Sequence, residues 1–515
     1  MRSSFVLSFA ALAFAAVGIV LVSGSVPARQ LWATGPVGAT TPTPSPTPTG
    51  TPTPTPPPGN IQHIVIIVQE NRTVDNLLNG MPGADTVSAD PVTHALLHPI
   101  HMTDPCGISH AHNSFTSEYN NGAMDGFPAS TCSVSTPPPS APAFAYVYPT
   151  ETDHYRYLGT TYAFANHLLQ DNSGPSFPAH QYLFRGQAGG IKTTGGIDFS
   201  NPWSISENSS VNGNGTSCKA SQGTLTKDLD LRSAYPGNSS SVIPPCIHTN
   251  NVIDELIQHG GLSWVYYSDK KTGLWSGPMA EPDLIQYADT DGGTNIINCS
   301  PQAMIDMLAL QGHGIHALPS LTYIMPDGQW SDHPGDPDTN TDGEDWVANL
   351  VNAIGTSSYW SSTVIIVTWD DWGGWYDHYA PGQGSNGGDP TNAIITCSNP
   401  LGGYVTPANC GFRVPLIIIG PYVKPGFVVS NPAPVYGALN RFIQRTFGLG
   451  EGSMNASDLW TSENFSEAFD FTQAPTPFQT IAPIITPTSR YTNAKCGGGT
   501  GGAGVNNDDE DPSHS

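Results

Sequence analysis

Thr363-Val364-Ile365-Ile366-Val367-Thr368, running without a break into Trp369-Asp370-Asp371-Trp372-Gly373-Gly374-Trp375-Tyr376-Asp377-His378, is the stretch that decides the fold. Its first part is a β-branched apolar run, which suits a strand covered on both faces. Sheets built from such strands place their ligand sites beyond the carboxyl ends, and two adjacent carboxylates leave this one. Neighbouring carboxylates repel each other and resist ionising together unless positive charge intervenes, so Asp370 and Asp371 read as half of a metal site. The competing reading is a solvated acidic turn with an Asx bend.

A second apolar run, Ile61-Gln62-His63-Ile64-Val65-Ile66-Ile67-Val68, ends directly in Gln69-Glu70-Asn71-Arg72. Two parallel central strands with such endings bring Glu70, Asn71, Asp370 and Asp371 to one rim of the sheet. Oxygen donors favour a hard or borderline divalent ion, and carboxylates alone do not choose among Ca, Mg, Mn and Zn. A third run, Val414-Pro415-Leu416-Ile417-Ile418-Ile419-Gly420-Pro421, adds to the sheet core, and its early proline marks a strand start or an edge.

Helical patterns alternate with these runs. Val347, Leu350, Val351 and Ile354 share one face of a helix from Asp345 to Gly355, which leads into the strand carrying Asp370. Asn251 to His259 leads through Gly260-Gly261 into Leu262-Ser263-Trp264-Val265-Tyr266-Tyr267, and Leu439, Phe442, Ile443 and Phe447 pattern a helix over Val435 to Gly448. The fold class is therefore α/β, a largely parallel central β-sheet flanked by helices. With 55 Gly and 48 Pro but only 11% charged residues, long loop insertions surround a modest regular core.

Six blocks together resemble a known family. They are Gln69-Glu70-Asn71-Arg72-Thr73 with Asp75, Met124-Asp125-Gly126-Phe127, Gly174-Pro175-Ser176-Phe177-Pro178, Ser331-Asp332-His333-Pro334, Trp369 to Gly374 with Tyr376-Asp377-His378, and Gly411-Phe412-Arg413-Val414-Pro415. The set is similar to the phosphoesterases that comprise bacterial phospholipases C and metal-dependent acid phosphatases, a branch of the alkaline-phosphatase superfamily. The blocks stand in the family's order over about residues 61–450. The resemblance implies an alkaline-phosphatase-like three-layer sandwich and one divalent metal ion held by Glu70, Asn71, Asp370 and Asp371. It further implies Ser176 as nucleophile, with its oxygen also on the metal.

Phospholipase members often carry Thr-x-Pro-Asn-Arg where this chain has Ser176-Phe177-Pro178-Ala179-His180, so Ser replaces Thr and His180 replaces Arg. Ser176 can still attack, because a hydroxyl held on a divalent cation loses its proton more easily. A serine in a Gly/Pro-rich turn is otherwise an ordinary turn residue.

Phosphoryl transfer also needs donors for the equatorial oxygens and an acid for the departing alkoxide. His333, His110, His378 and His180 are the candidates, with His112 beside His110 in a His-x-His that family members share. Since the chain has 16 histidines, most of them are surface or packing residues. The implied reaction is attack of Ser176 on phosphorus, then release of a phosphoserine by water. Phosphatase and phospholipase C share every block. The family's phospholipases often carry C-terminal β-domains, and the short stretch after the last block tilts the expectation toward a phosphatase or a small diester. Two other readings are a sulfatase-like hydrolase, weakened by His180 in place of Arg, and a catalytically idle surface module, favoured only if the ligand set were broken.

A net charge of −25 with 17 Lys and Arg argues against nucleic acid or an anionic bilayer as partner. The expected partner is a phosphate-ester small molecule or a phospholipid headgroup. Residues 1–28 read as an export signal or an uncleaved membrane anchor, the one expected membrane contact, and imply a secreted or cell-surface protein. Residues 29–59 form a Thr/Pro-rich linker, 60–470 one catalytic domain, and 471–515 an extension ending in a Gly-rich acidic tail expected to be disordered. Eight cysteines allow four disulfides, with Cys106–Cys132, Cys218–Cys246 and Cys397–Cys410 the sequence-near pairings. No Cys-x-x-Cys occurs, which removes the usual structural zinc motif.

Overall fold

The sheet is built outward from its two longest apolar runs. β1 (His63–Gln69) and a parallel partner, Thr363–Trp369, pair residue for residue from His63 with Thr363 to Gln69 with Trp369. Every residue of the second strand is buried, and all of the first except His63, which explains why neither alternates polar with apolar. The residues that follow must therefore leave the same end of the sheet side by side.

In the computed structural model the described residues are 60–132, 141–188, 343–381, 410–429 and 435–482 apart from 455, 460 and 462–463, with shorter pieces between 192 and 335. The export signal, the linker, the tail beyond 482 and Cys246 and Cys397, the partners expected for Cys218 and Cys410, lie outside them.

Eight strands form the sheet: β1, β2 (Ala163–Ala165), β3 (Trp264–Tyr267), β4 (Ile296–Ile297), β5 (Leu321–Ile324), β6 (Thr363–Trp369), β7 (Leu416–Ile419) and β8 (Phe427–Val429), in the order β4-β3-β5-β1-β6-β7-β2-β8. All pairings are parallel except those of β7, which runs antiparallel to both β6 and β2. Pro415 stands just before the first residue of β7 inside the sheet, so the proline marks a strand start.

Among the described residues the α-helices are α1 (Val74–Leu77), α2 (His112–Tyr119), α3 (Asp153–Thr161), α4 (Ser176–Arg185), α5 (Val252–Gln258), α6 (Gly343–Gly355) and α7 (Tyr436–Phe447). The expected face of α6 is buried, with Trp346 added to Val347, Leu350, Val351 and Ile354, and α7 ends at Gly448 in a left-handed cap. No helix among these residues is long and apolar enough to cross a membrane.

The packed body continues past residue 470. The Trp360 indole N–H donates to the Thr476 carbonyl at 2.8 Å, Phe478 packs against the Trp360 ring, and Asn352 pairs through its side chain with the backbone of Ile481. A second apolar cluster, separate from the sheet core, gathers Phe115, Phe127, Phe144, Trp372, Tyr376 and Phe412. It fixes the segment after β6 and the arm that carries α2, and the expected Cys106–Cys132 disulfide closes that arm.

Candidate active site and metal centre

Glu70, Asn71, Asp370 and Asp371 are all fully buried directly beyond β1 and β6. Asn71 adopts a left-handed φ of 61°, which its short polar side chain tolerates better than most. Asp370 Oδ1 accepts the backbone N–H of Asn71 at 2.9 Å and that of Asp371 at 2.7 Å, so one carboxylate clasps both strand ends. Asp371 Oδ1 in turn accepts the N–H of Gly373 at 2.7 Å.

The remaining oxygens converge. Ser176, the first residue of α4, holds its Oγ 3.3 Å from Glu70 Oε2, 3.4 Å from Asn71 Oδ1 and 3.2 Å from Asp371 Oδ2. The extended Pro175 ends the preceding turn, and Pro178 in the first helical turn pre-sets the backbone. One turn along α4, on the same face, His180 places Nε2 3.0 Å from Glu70 Oε1 and 3.8 Å from Asp370 Oδ2. Glu70, Asp370 and His180 can each offer an atom to a single ion.

The donor set fits a divalent cation. Burial, then the nearby Asp370 and Asp371, push the Glu70 carboxyl well above its ordinary range. Asp370 Oδ2 is buried without a hydrogen-bond partner among the described residues. The Asn71 amide adds a further sign. With its oxygen turned toward the carboxylates, its nitrogen faces the His110 Nε2 at 3.0 Å. Reversed, the amide would instead donate to Asp370 Oδ1 at 3.1 Å and Glu70 Oε2 at 3.2 Å and accept from His110 Nε2 at 3.0 Å and His333 Nε2 at 3.2 Å. Hydrogen bonding alone favours the second orientation, and a cation among the carboxylates favours the first.

His110 and His333 form the outer wall. At 9% and 5% exposure they reach solvent, whereas the carboxylates beneath them do not. His110 Nδ1 bonds the Ile108 carbonyl at 2.9 Å and His333 Nδ1 that of Pro334 at 3.0 Å, which turns both Nε2 atoms toward Asn71. The rings meet edge to face at 5.7 Å. His112 holds the turn before Ser176, its Nδ1 lying 2.9 Å from Ser173 Oγ and 3.0 Å from the Ser173 carbonyl.

His378 belongs to a different cluster. Its Nδ1 lies 2.6 Å from Asp75 Oδ2 and its Nε2 3.4 Å from Asp85 Oδ1. Burial pulls His378 down, but the bond to Asp75 and its charge outweigh this and leave it above its ordinary value. Asp75, Asp377 and His378 could also group around an ion. Arg413 already supplies that positive charge, with Nη2 2.6 Å from Asp377 Oδ1 and 3.1 Å from Asp75 Oδ2.

Motif residues outside the ligand set, together with Tyr155 and Tyr436, which belong to no motif, hold the site in place. Asp332 Oδ2 accepts from the Tyr155 hydroxyl and the Trp369 indole, both at 3.0 Å. Arg72 Nε donates to the Asp332 carbonyl at 2.8 Å, and Gln69 Oε1 accepts the Asp332 N–H at 3.1 Å. Burial raises Asp332 to about 6 against the pull of Arg72. These bonds fasten the loop carrying His333 to the ends of β1 and β6. The Tyr436 hydroxyl donates to the Trp369 carbonyl at 2.8 Å and to that of Asp370.

Residues 61–450, from just before β1 to just past α7, match the profile of the Phosphoesterase family. The chain belongs to the phosphoesterase family. It is 26% identical to phospholipase C B of Mycobacterium tuberculosis over 46% of both chains. It is 24% identical to the hemolytic phospholipase C of Pseudomonas aeruginosa, over 80% of this chain and 56% of that one. The chain thus spans about half the length of these curated relatives. A solved protein of the alkaline phosphatase superfamily from Vibrio parahaemolyticus matches with a TM-score of 0.31 and 10% identity over 77% of this chain and 68% of that chain.

The phosphoesterase blocks divide by what they touch. Asp75, Asp377 and Arg413 make a buried ion cluster that ties three distant blocks together, with Arg413 also donating to the carbonyls of Asp85 and Asn166. Arg413→Met leaves two buried carboxylates without their cation, and a loss of about 3–5 kcal/mol is expected, read as a lowered Tm or loss of soluble protein. Arg413→Lys should recover only part, because an ammonium cannot reproduce the guanidinium fork.

Gly373 and Gly374 have φ of 63° and 75°. A Cβ on Gly373 would lie 2.3 Å from the Asn71 carbonyl oxygen and 2.8 Å from its Cβ, and one on Gly374 would strike Ile108 at 2.5 Å. The Gly-Gly turn thus lets the backbone press on Asn71 on one side and on the His110 arm on the other. Gly373→Ala should weaken metal affinity and kcat by about 10-fold or more, since groups that orient ligands carry effects of that size. Metal titration of the purified variant checks it.

Proposed function

We propose that this member of the phosphoesterase family is an exported, metal-dependent hydrolase that cleaves phosphate esters through Ser176. The observation carrying the reading is the Ser176 Oγ within 3.4 Å of Glu70, Asn71 and Asp371 at the N-terminus of a ten-residue helix. Glu70, Asn71, Asp370, Asp371 and the Ser176 hydroxyl would hold one divalent ion, whose positive charge, when bound, lowers the hydroxyl pKa and neutralises the phosphoryl oxygens.

The residues then divide the work. Ser176 Oγ attacks phosphorus in line, and the helix N-terminus presents its positive end to the equatorial oxygens. His110 and His333, at the solvent side, would take up a proton on Nε2 as the substrate displaces the Asn71 amide from them, and then donate hydrogen bonds to those oxygens and a proton to the departing alkoxide. The phosphoserine that remains is released by water, with one of these histidines as base. The buried carboxylates orient the nucleophile and keep water from the inner side of the site.

The substrate class is a phosphate ester, and relatives named phospholipase C support a phospholipid-headgroup diester beside a simple monoester. The apolar segment near Met1 and the Thr/Pro stretch after it support export. The intact set of ligands disfavours an idle module, and His180 in place of arginine disfavours sulfate esters. The test compares p-nitrophenyl phosphate, p-nitrophenylphosphorylcholine and p-nitrophenyl sulfate, each with and without chelator. Turnover of one phosphate ester that stops on chelation is expected. Turnover of the sulfate alone, or full activity in a metal-free preparation, overturns the reading.

A further inference from the structure

We infer that the His180 imidazole is itself a metal ligand and that it tunes the site toward a nitrogen-accepting transition ion such as Zn²⁺ over Ca²⁺ or Mg²⁺. This goes beyond the ligand set of the proposed function but rests on the same metal site.

The argument begins with placement. His180 is fully buried, as are Glu70 and Asp370, so its neighbours are fixed by the fold rather than by solvent. It lies four residues after Ser176 in α4, and that spacing puts the two side chains on one helical face aimed at one point. Nε2 is the nitrogen that points at the carboxylates, 3.0 Å from Glu70 Oε1 and 3.8 Å from Asp370 Oδ2. Metal bonds of roughly 2.0–2.2 Å set at tetrahedral angles separate neighbouring donors by about 3.3–3.6 Å, and these two distances straddle that range. Glu70, Asp370 and His180 each bring a donor atom within 4.8 Å of the other two, close enough for one ion to lie among them.

Donor chemistry then sets the preference. Ca²⁺ and Mg²⁺ take oxygen ligands almost exclusively, while neutral imidazole suits zinc and its neighbours. A site whose inner face is carboxylates and a hydroxyl on one side and an imidazole on the other is a mixed nitrogen and oxygen site. Were His180 only an ion-pair partner of Glu70, its proton would occupy the space between Nε2 and Oε1, and the ion would be confined to Asn71, Asp371 and Ser176.

X-ray absorption at the zinc edge of the full-length protein loaded with one equivalent of Zn²⁺ should show the outer-shell scattering of a single imidazole. An oxygen-only spectrum overturns the inference. Competition titrations should also show Zn²⁺ bound at least about 100-fold more tightly than Ca²⁺, with His180→Gln lowering Zn²⁺ affinity by about 10-fold or more and Ca²⁺ affinity by less than about 3-fold. Equal losses for both ions, or a preference for Ca²⁺ in the unaltered protein, overturn it. Neither measurement uses turnover, so an inactive preparation that shows the imidazole sinks the proposed function and leaves this inference standing.

Discussion

Ser176→Ala is expected to lower kcat for the preferred phosphate ester by at least about 10³-fold while the protein still folds and still binds its metal. The substitution removes one oxygen from a point that Glu70, Asn71 and Asp371 surround at 3.2 to 3.4 Å, and it touches no backbone bond that holds the strand ends. Those ends are held by Asp370, through the N–H groups of Asn71 and Asp371. Loss of the nucleophile is thus separable from loss of the site, and metal titration of the variant shows whether the separation holds. Ser176→Thr keeps a hydroxyl in place, and should retain more turnover than the alanine variant at the cost of fitting a methyl group into a fully buried position. A phosphorylated peptide containing Ser176, trapped by acid quench during turnover, completes the case. Undiminished activity in Ser176→Ala would falsify the nucleophile assignment.

How much of this was legible follows from what each residue signals. β1 and β6 carry unbroken apolar runs ending in carboxylates, and parallel pairing of two such strands forces their tips together, so Glu70, Asn71, Asp370 and Asp371 could be placed side by side from the sequence. The reversal of β7 could not, because Leu416-Ile417-Ile418-Ile419 presents the same two faces in either direction. His378 follows Asp370 closely in the chain, and that nearness in sequence groups it with the site candidates. The left-handed Gly373-Gly374 turn redirects the chain, and His378 ends on Asp75 and Arg413. Tyr155 and Tyr436 carried no signal at all. Their hydroxyls act across 177 and 66 residues of separation, and a lone tyrosine in a helical pattern reads as core. His180 was legible as a departure from a family pattern, and only coordinates could show that the departure points inward.

Asp370→Asn should have the second large effect, and its sign changes with the metal. Asparagine keeps an oxygen to accept the N–H groups of Asn71 and Asp371, so the clasp on the strand ends survives. It removes one of three buried carboxylates that repel one another. In chelator the variant should therefore melt no lower than the unaltered protein, and higher by about 1–3 °C if the repulsion is unrelieved. Asp370→Ala leaves the N–H groups of Asn71 and Asp371 without their side-chain acceptor, at about 1–1.5 kcal/mol each, and should melt lower. With metal present the order inverts. The unaltered protein gains about 2.7 kcal/mol when free metal is a hundredfold above its Kd, and both variants forfeit that gain along with at least about 10³ in kcat. The pH dependence follows from Glu70, whose carboxyl is held well above its ordinary value of 4.5 by burial and by Asp370 and Asp371. An acid with a raised folded pKa binds its proton more tightly in the folded state, so the metal-free protein loses stability as pH rises above about 4.5 toward that folded value. Asp370→Asn should flatten this loss, and bound metal should reverse it, because the ion competes with the proton for the same oxygens. Thermal melts at pH 4.5 and 7.5, with chelator and with metal, read all of these signs in one series. An Asp370→Asn protein that melts far below the unaltered one in chelator would show that repulsion among the three carboxylates does not govern the metal-free site.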